Sequence, residues 1–159
     1  MIKQITKDDL HECLEIFHRG YETVAEEFGL TEENCPDRGR ASLPYNKLFE
    51  SFEGGEMMYG YFLGGKPVGF LGMKNFGVGK YKVNDIIVLP EYRGCGYGKK
   101  LLDFAKAKAK ELGASSLELG MIDDNKRLRK WYEDNGFVNI AYKNFENFPC
   151  TIGIMECKL

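Results

Sequence analysis

The chain has 159 residues, 43% of them hydrophobic and 29% charged, with a net charge of −2 and acidic and basic side chains interspersed. That length predicts one folded unit over residues 1–159 with a substantial core, and the composition is that of an ordinary soluble protein, expected to be cytoplasmic. A broad basic face for nucleic acid and a secretory signal at Met1–Gln4 are not expected, and no apolar run reaches the ~18 residues that a membrane span needs.

In chain order, Met1–Thr6 reads as a short strand. Thr6 and Asp9 have the spacing of a capping box, with Asp in place of Glu or Gln, and open a helix. Leu10, Leu14, Phe17, Tyr21 and Val24 give that helix an apolar stripe, and it ends near Gly29. It carries both histidines, His11 and His18, which are expected to pack rather than catalyse. Thr31–Pro44 is polar and broken by Pro36, Gly39 and Pro44, hence a loop; Tyr45–Phe52 is a second short helix. Met57–Leu63 and Lys66–Lys74 flank Gly64-Gly65 as a β-hairpin, Asn75–Gly79 is a turn, and Tyr81–Leu89 is the third strand of a meander.

Three glycines then alternate with single residues at Gly94, Gly96 and Gly98. They are followed by a helix with Leu101, Leu102, Ala105, Ala109 and Leu112 on one face. Strand, glycine loop and helix together aim free backbone N–H groups and the positive end of a helix dipole at one point, an anion site for a phosphate or pyrophosphate. Ser115–Ile122 is a strand, Lys126–Asn135 a helix stopped by Gly136, and Val138–Tyr142 and Thr151–Cys157 are the last two strands. The order β-α-α-β-β-β-α-β-α-β-β is that of a mixed α/β (α+β) domain with a largely antiparallel sheet.

Two common phosphate loops fail on spacing. A dinucleotide G-x-G-x-x-G counted from Gly94 would need glycine where Lys99 stands, and the preceding strands come as hairpins. A Walker A loop lacks its first glycine, and Lys99 is followed by Lys100. The five cysteines (Cys13, Cys35, Cys95, Cys150 and Cys157) are scattered, odd in number and without a C-x-x-C pair. Reduced thiols and no metal are therefore expected.

The run Val88–Gly98, with Arg93, Gly96 and Gly98 matching Arg/Gln-x-x-Gly-x-Gly/Ala, resembles the acyl-CoA-binding segment of the GNAT superfamily of N-acetyltransferases. Asn125 and Trp131–Phe137 resemble the later helix of that family, which usually ends in Tyr-x-x-x-Gly-Phe. The resemblance is most specific over residues 80–137. It implies that acetyl-CoA is the co-substrate, that backbone amides from Arg93 through Gly94, Cys95, Gly96, Tyr97 and Gly98 to Lys99 hold its pyrophosphate, and that Ile86, Ile87 and Val88 bind the pantetheine like an added strand. Asn125 would contact the cofactor, with the role of helix N-cap equally natural. The two parallel strands Tyr81–Leu89 and Ser115–Ile122 would splay to admit the arm.

The implied reaction is direct attack of a primary amine on the thioester. The N–H of Val88 or a neighbour would serve as oxyanion donor and Tyr132 as the acid for the leaving sulfur. Many family members carry a glutamate early in the strand before the signature; here that position is Lys82. The base is left among Asp85, Glu26 and Glu27, acting through water. Cys95 serves as a small residue within the loop, not as an acylated nucleophile. A non-catalytic acyl-CoA sensor on the same scaffold is the rival reading. The acceptor would be a small-molecule or peptide amine, with neither nucleic acid nor membrane as partner. An exposed C-terminal strand would offer a homodimer contact.

Overall fold

The computed structural model describes residues 1–159 and runs β1 (Ile2–Gln4), α1 (Leu10–Phe28), α2 (Tyr45–Glu53), β2 (Met57–Leu63), β3 (Lys66–Gly77), β4 (Lys80–Val88), α3 (Tyr97–Glu111), β5 (Ser116–Ile122), α4 (Lys126–Asp134), β6 (Val138–Lys143) and β7 (Ile152–Lys158). The expected α+β order is the observed one. Seven strands form one sheet in the order β1-β2-β3-β4-β5-β7-β6. Every neighbouring pair is antiparallel except β4 and β5.

Local chemistry accounts for the element ends. Thr6 and Asp9 form a capping box with aspartate in it, the N–H of Thr6 donating to Asp9 Oδ2 at 2.8 Å. Gly29 closes α1 in the left-handed region (φ 68°). Gly64 and Gly65, both at positive φ (56° and 82°), make the tight β2–β3 turn, whose twist matches that of the strands.

Four details differ from the expectation. The stripe of α1 is rotated: Leu10, Cys13, Ile16, Phe17 and Gly20 are buried, whereas Leu14, Tyr21 and Val24 are only partly covered. Gly20 sets this rotation, because its bare Cα lets the helix sit on Ile87 of β4. Leu112 is not on the buried face of α3; it caps the helix and stays exposed. Lys66 starts a strand that runs on to Gly77, leaving only Val78-Gly79 for the turn, since β4 keeps pairing it as far as Gly77↔Lys80. The last strand is not an edge either: β7 inserts between β5 and β6, and β6 forms the edge.

The main core is continuous across the sheet. Phe17, Phe70 and Ile16 fill it, as do Leu101, Leu117 and Met155 from the neighbouring elements. A small separate cluster, Ala25, Leu30 and Ala41 with Phe148 and Cys150 against it, ties the 31–44 loop to the segment before β7.

Candidate active site

The site begins with a failure of pairing. Strands β4 and β5 are in register only from Lys80↔Ser116 to Val83↔Leu119. Beyond that β4 continues along β3 to Gly69↔Val88, while β5 follows β7 to Ile122↔Ile152, so the two diverge. At the point of divergence Met73 pairs with Val83 and Gly72 with Asp85, leaving Asn84 unmatched. This β-bulge bends the strand and redirects the residues beside it.

The phase of the ladder decides which groups stay free. The N–H of Leu89 donates to the Val68 carbonyl at 2.9 Å. By alternation the main-chain groups of Ile87 and Asp85 also point to β3, and those of Ile86 and Val88 point to the gap. Of the three residues expected to pair with an added strand, Ile86 and Val88 thus present an open edge, and Ile87 is spent on Phe70. The Val88 carbonyl already accepts from Arg93 Nε at 3.1 Å.

At the end of that edge lies the glycine loop. Gly94 and Gly96 adopt φ 77° and 84°, and α3 starts at Tyr97. No backbone or side-chain acceptor takes the N–H of Gly94, Cys95, Gly96, Tyr97, Gly98 or Lys99; the N–H of Lys100 is the first to bond, to the Gly96 carbonyl at 3.1 Å. Six successive donors at a helix N-terminus form an anion cradle. Arg93 lies outside it: its N–H bonds Pro90, and its guanidinium reaches Thr23 Oγ1 (3.0 Å) and the Gly20 carbonyl (2.9 Å), fastening α1 to the loop. Burial, and then the charge of Arg127 on α4, lower the Arg93 pKa. Lys99 is paired with Asp103 (2.9 Å), and Tyr97 stacks on Tyr61 at 4.4 Å. Cys95 is exposed.

Between the diverging strands is a mostly apolar cleft of about 260 Å³, lined among others by Ile86, Leu119, Met121, Asn125, Tyr21 and Tyr132. Tyr132 is 4% exposed and burial pushes its pKa well above the usual phenol value. Its hydroxyl has no partner within the protein, although every fully buried side-chain nitrogen or oxygen has one; the hydroxyl therefore opens onto the cleft. Asn125 caps α4, its Oδ1 accepting from the N–H of Leu128 at 3.2 Å, and also lines the cleft.

Asp85 is 3% exposed and lies at the inner wall. Tyr21 donates to its Oδ1 at 2.7 Å, and Arg40 Nη1 is 3.3 Å from Oδ2. Burial raises the Asp85 pKa; Arg40 and the Tyr21 hydrogen bond oppose the rise. Burial, then the Asp85 charge, push Tyr21 up in turn.

Neither Tyr21 nor Arg40 was expected here. Arg40 arrives through a run of three left-handed residues, Arg38, Gly39 and Arg40 (φ 52°, 63° and 76°). Non-glycine residues hold that conformation at a cost of about 1–3 kcal/mol each. The bidentate Arg38–Glu22 pair (2.7 and 2.9 Å) holds the loop there.

Arg40 and Asn84 also border a second, polar cleft of about 1230 Å³ on the α1 face of the sheet. Glu56 lines it, accepting from Asn84 Nδ2 at 2.6 Å, and burial raises its pKa. No sequence pattern pointed to Glu56. The carboxylate fits because Gly72 has no side chain: a Cβ there would sit 3.0 Å from Glu56 Oε1.

Other candidates fall outside. Glu26 and Glu27 are exposed and line neither cleft. His18 Nε2 donates to the Leu43 carbonyl at 2.7 Å and His11 stacks on Tyr45 at 4.4 Å, so both pack. No three His, Cys, Asp or Glu side chains converge as metal ligands would.

The model of the acetyltransferase (GNAT) family matches residues 12–137. An uncharacterized N-acetyltransferase of Methanocaldococcus jannaschii is 28% identical over 142 residues, covering 86% of this chain; the match spans only 59% of that relative's length. The fold is shared with a GCN5-related N-acetyltransferase from Rhodopseudomonas palustris (TM-score 0.82, 19% identity, 100% of this chain and 95% of that one). It is shared equally with the PaiA N-acetyltransferase of Thermoplasma acidophilum, solved with coenzyme A (TM-score 0.78, 21% identity, 100% and 98% covered).

Proposed function

The chain belongs to the acetyltransferase (GNAT) family, and from that premise we propose that it moves an acetyl group from acetyl-CoA directly to a primary amine. One observation carries the reading: six unpartnered N–H groups, Gly94 to Lys99, open at the end of an unpaired strand edge. A pyrophosphate suits the first feature and an extended amide-bearing arm the second. The coenzyme A complex of the Thermoplasma protein, which has this fold, supports the same assignment.

In this reading the cradle anchors the pyrophosphate, and Ile86 and Val88 hydrogen-bond the arm. The N–H of Val88 donates to the oxyanion that forms as the amine attacks the thioester carbonyl. Asp85 takes the proton the amine loses, with Tyr21, hydrogen-bonded to it, in the path. A buried carboxylate whose pKa is raised holds that proton better than an exposed one.

Tyr132 gives its proton to the departing sulfur and regains one from solvent. An ordinary phenol (pKa ~10) is a weaker acid than a thiol (~8.5), and burial raises it further. Desolvation disfavours the thiolate formed beside it as well, so the phenol need only share its proton as charge builds on sulfur.

Calorimetry with coenzyme A and an assay of thiol release from acetyl-CoA over a panel of amines test this reading together. Binding with amine-dependent release is expected. Binding without release from any amine would favour the sensor reading, which the lysine at position 82 motivates; absence of binding would remove both.

A further inference from the structure

The polar cleft is larger than an amine alone needs, and its charges are sorted. Lys74 of β3 and Lys82 of β4 are directly opposed in register and both line it. Like charges placed opposite each other destabilise a sheet. Neither lysine forms an ion pair within the chain. The Lys82 ammonium lies 5.7 Å from the centre of the Phe76 ring.

The other cations of the cleft are committed, Arg40 to Asp85 (3.3 Å) and Lys47 to Glu50 (3.9 Å). Of the acids, Asp37 lies on the outer loop with the Cys35 thiol 3.6 Å from its Oδ1. Glu56 lies on the inner side, beside the bulge at Asn84 and next to Asp85. Two lysines without an ion pair thus line the cleft two strand residues from Glu56, the carboxylate that borders the reaction centre.

We propose that this cleft receives the acceptor as a primary amine that carries its own carboxylate, the amine at Glu56 and the carboxylate between Lys74 and Lys82. The proposal rests on the acetyl-transfer reading above and names the substrate class for it. Two strand residues separate the two ends, Gly72 from Lys74 and Asn84 from Lys82, which is roughly 7 Å at ~3.4 Å per residue. An α-amino acid is too short to bridge that distance. An ω-amino acid, with its amine several bonds from the carboxylate, fits it.

The test compares acceptors of one chain length: 6-aminohexanoate, hexylamine, 1,6-diaminohexane and 5-aminopentylphosphonate, each with acetyl-CoA and thiol release as readout. The amino acid is expected to exceed hexylamine roughly 10- to 100-fold in kcat/KM, the range that one or two charge-assisted hydrogen bonds supply. Lys74→Ala with Lys82→Ala should shrink that ratio through KM, and Lys82→Arg should keep it. A diamine or plain amine used as well as the amino acid, or a ratio that the alanine pair leaves intact, would overturn the proposal while leaving acetyl transfer standing. A phosphonate used better than the carboxylate would overturn the carboxylate assignment. If no amine releases thiol, the acetyl-transfer reading falls and takes this one with it.

Discussion

In the proposed reaction the two sides of the candidate active site are built from different material. The cofactor side, from β4 through the glycine loop to the start of α3, is made of backbone: an unpaired strand edge and six free N–H groups. The acceptor side, from α1 through the 31–44 loop to Glu56, is made of side chains brought from distant parts of the chain, such as Tyr21 and Asp85, 64 residues apart. A backbone site can serve only a ligand of fixed shape. A side-chain site can be rewritten one residue at a time, which is how one scaffold accommodates different acceptors.

The sharpest way to separate the two sides is Asp85→Asn. Thiol release is expected to fall about 100-fold or more, as for loss of a general base, with coenzyme A affinity by calorimetry unchanged, because no donor group is touched. Equal losses in both would mean that the sides are not independent.

Next in size is the seam that joins them. A Cβ on Gly20 would lie 2.2 Å from Ile87 Cγ2, so Gly20→Ala overpacks the α1–β4 contact. Urea denaturation should record a loss of about 1–3 kcal/mol, with poorer kinetics for both substrates.

Gly96→Ala probes the cofactor side alone. Its positive φ and the methyl group set into the anion cradle should weaken coenzyme A about 10-fold, which converts to roughly 1.4 kcal/mol, while KM for the amine holds.

The smallest effect is on pH dependence. Because burial raises the Asp85 pKa, the folded chain keeps this proton at pH values where the unfolded chain has lost it. Its contribution to stability is therefore complete below the ordinary aspartate pKa of ~3.9 and is lost as pH rises through the elevated value. Wild type measured against Asp85→Asn by denaturation at acid and neutral pH should show that decline.

The same division explains what could be read from the sequence. The glycine spacing, the β-branched run before it and the Trp131–Phe137 segment are local, so strand, loop and helix ends fall within a residue or two of their expected places. Tyr132 and Asn125 follow by the same route, being fixed by one short helix. Glu56 does not, since its role depends on Gly72 of the next strand and on a bulge at Asn84 that no local pattern marks. Arg40 was hidden for a different reason. Arginine rarely adopts positive φ, and contacts distant in sequence hold it there: the Arg38–Glu22 pair, the small Leu30 cluster and the ion pair of Arg40 with Asp85. The rotation of α1 was misjudged because a glycine at position 20 reads as a gap in a stripe, when it is the point of closest approach.

The central claim is that Tyr132 acts on the leaving sulfur while the loop holds the cofactor, and Tyr132→Phe in a kinetic assay paired with calorimetry tests it most directly. The phenylalanine keeps the ring packed against Trp131 and Phe137, so the fold is preserved. The account predicts kcat lowered about 100-fold or more with coenzyme A affinity within about twofold, under ~0.5 kcal/mol. Wild-type kcat in the variant, or affinity falling in step with rate, would contradict it.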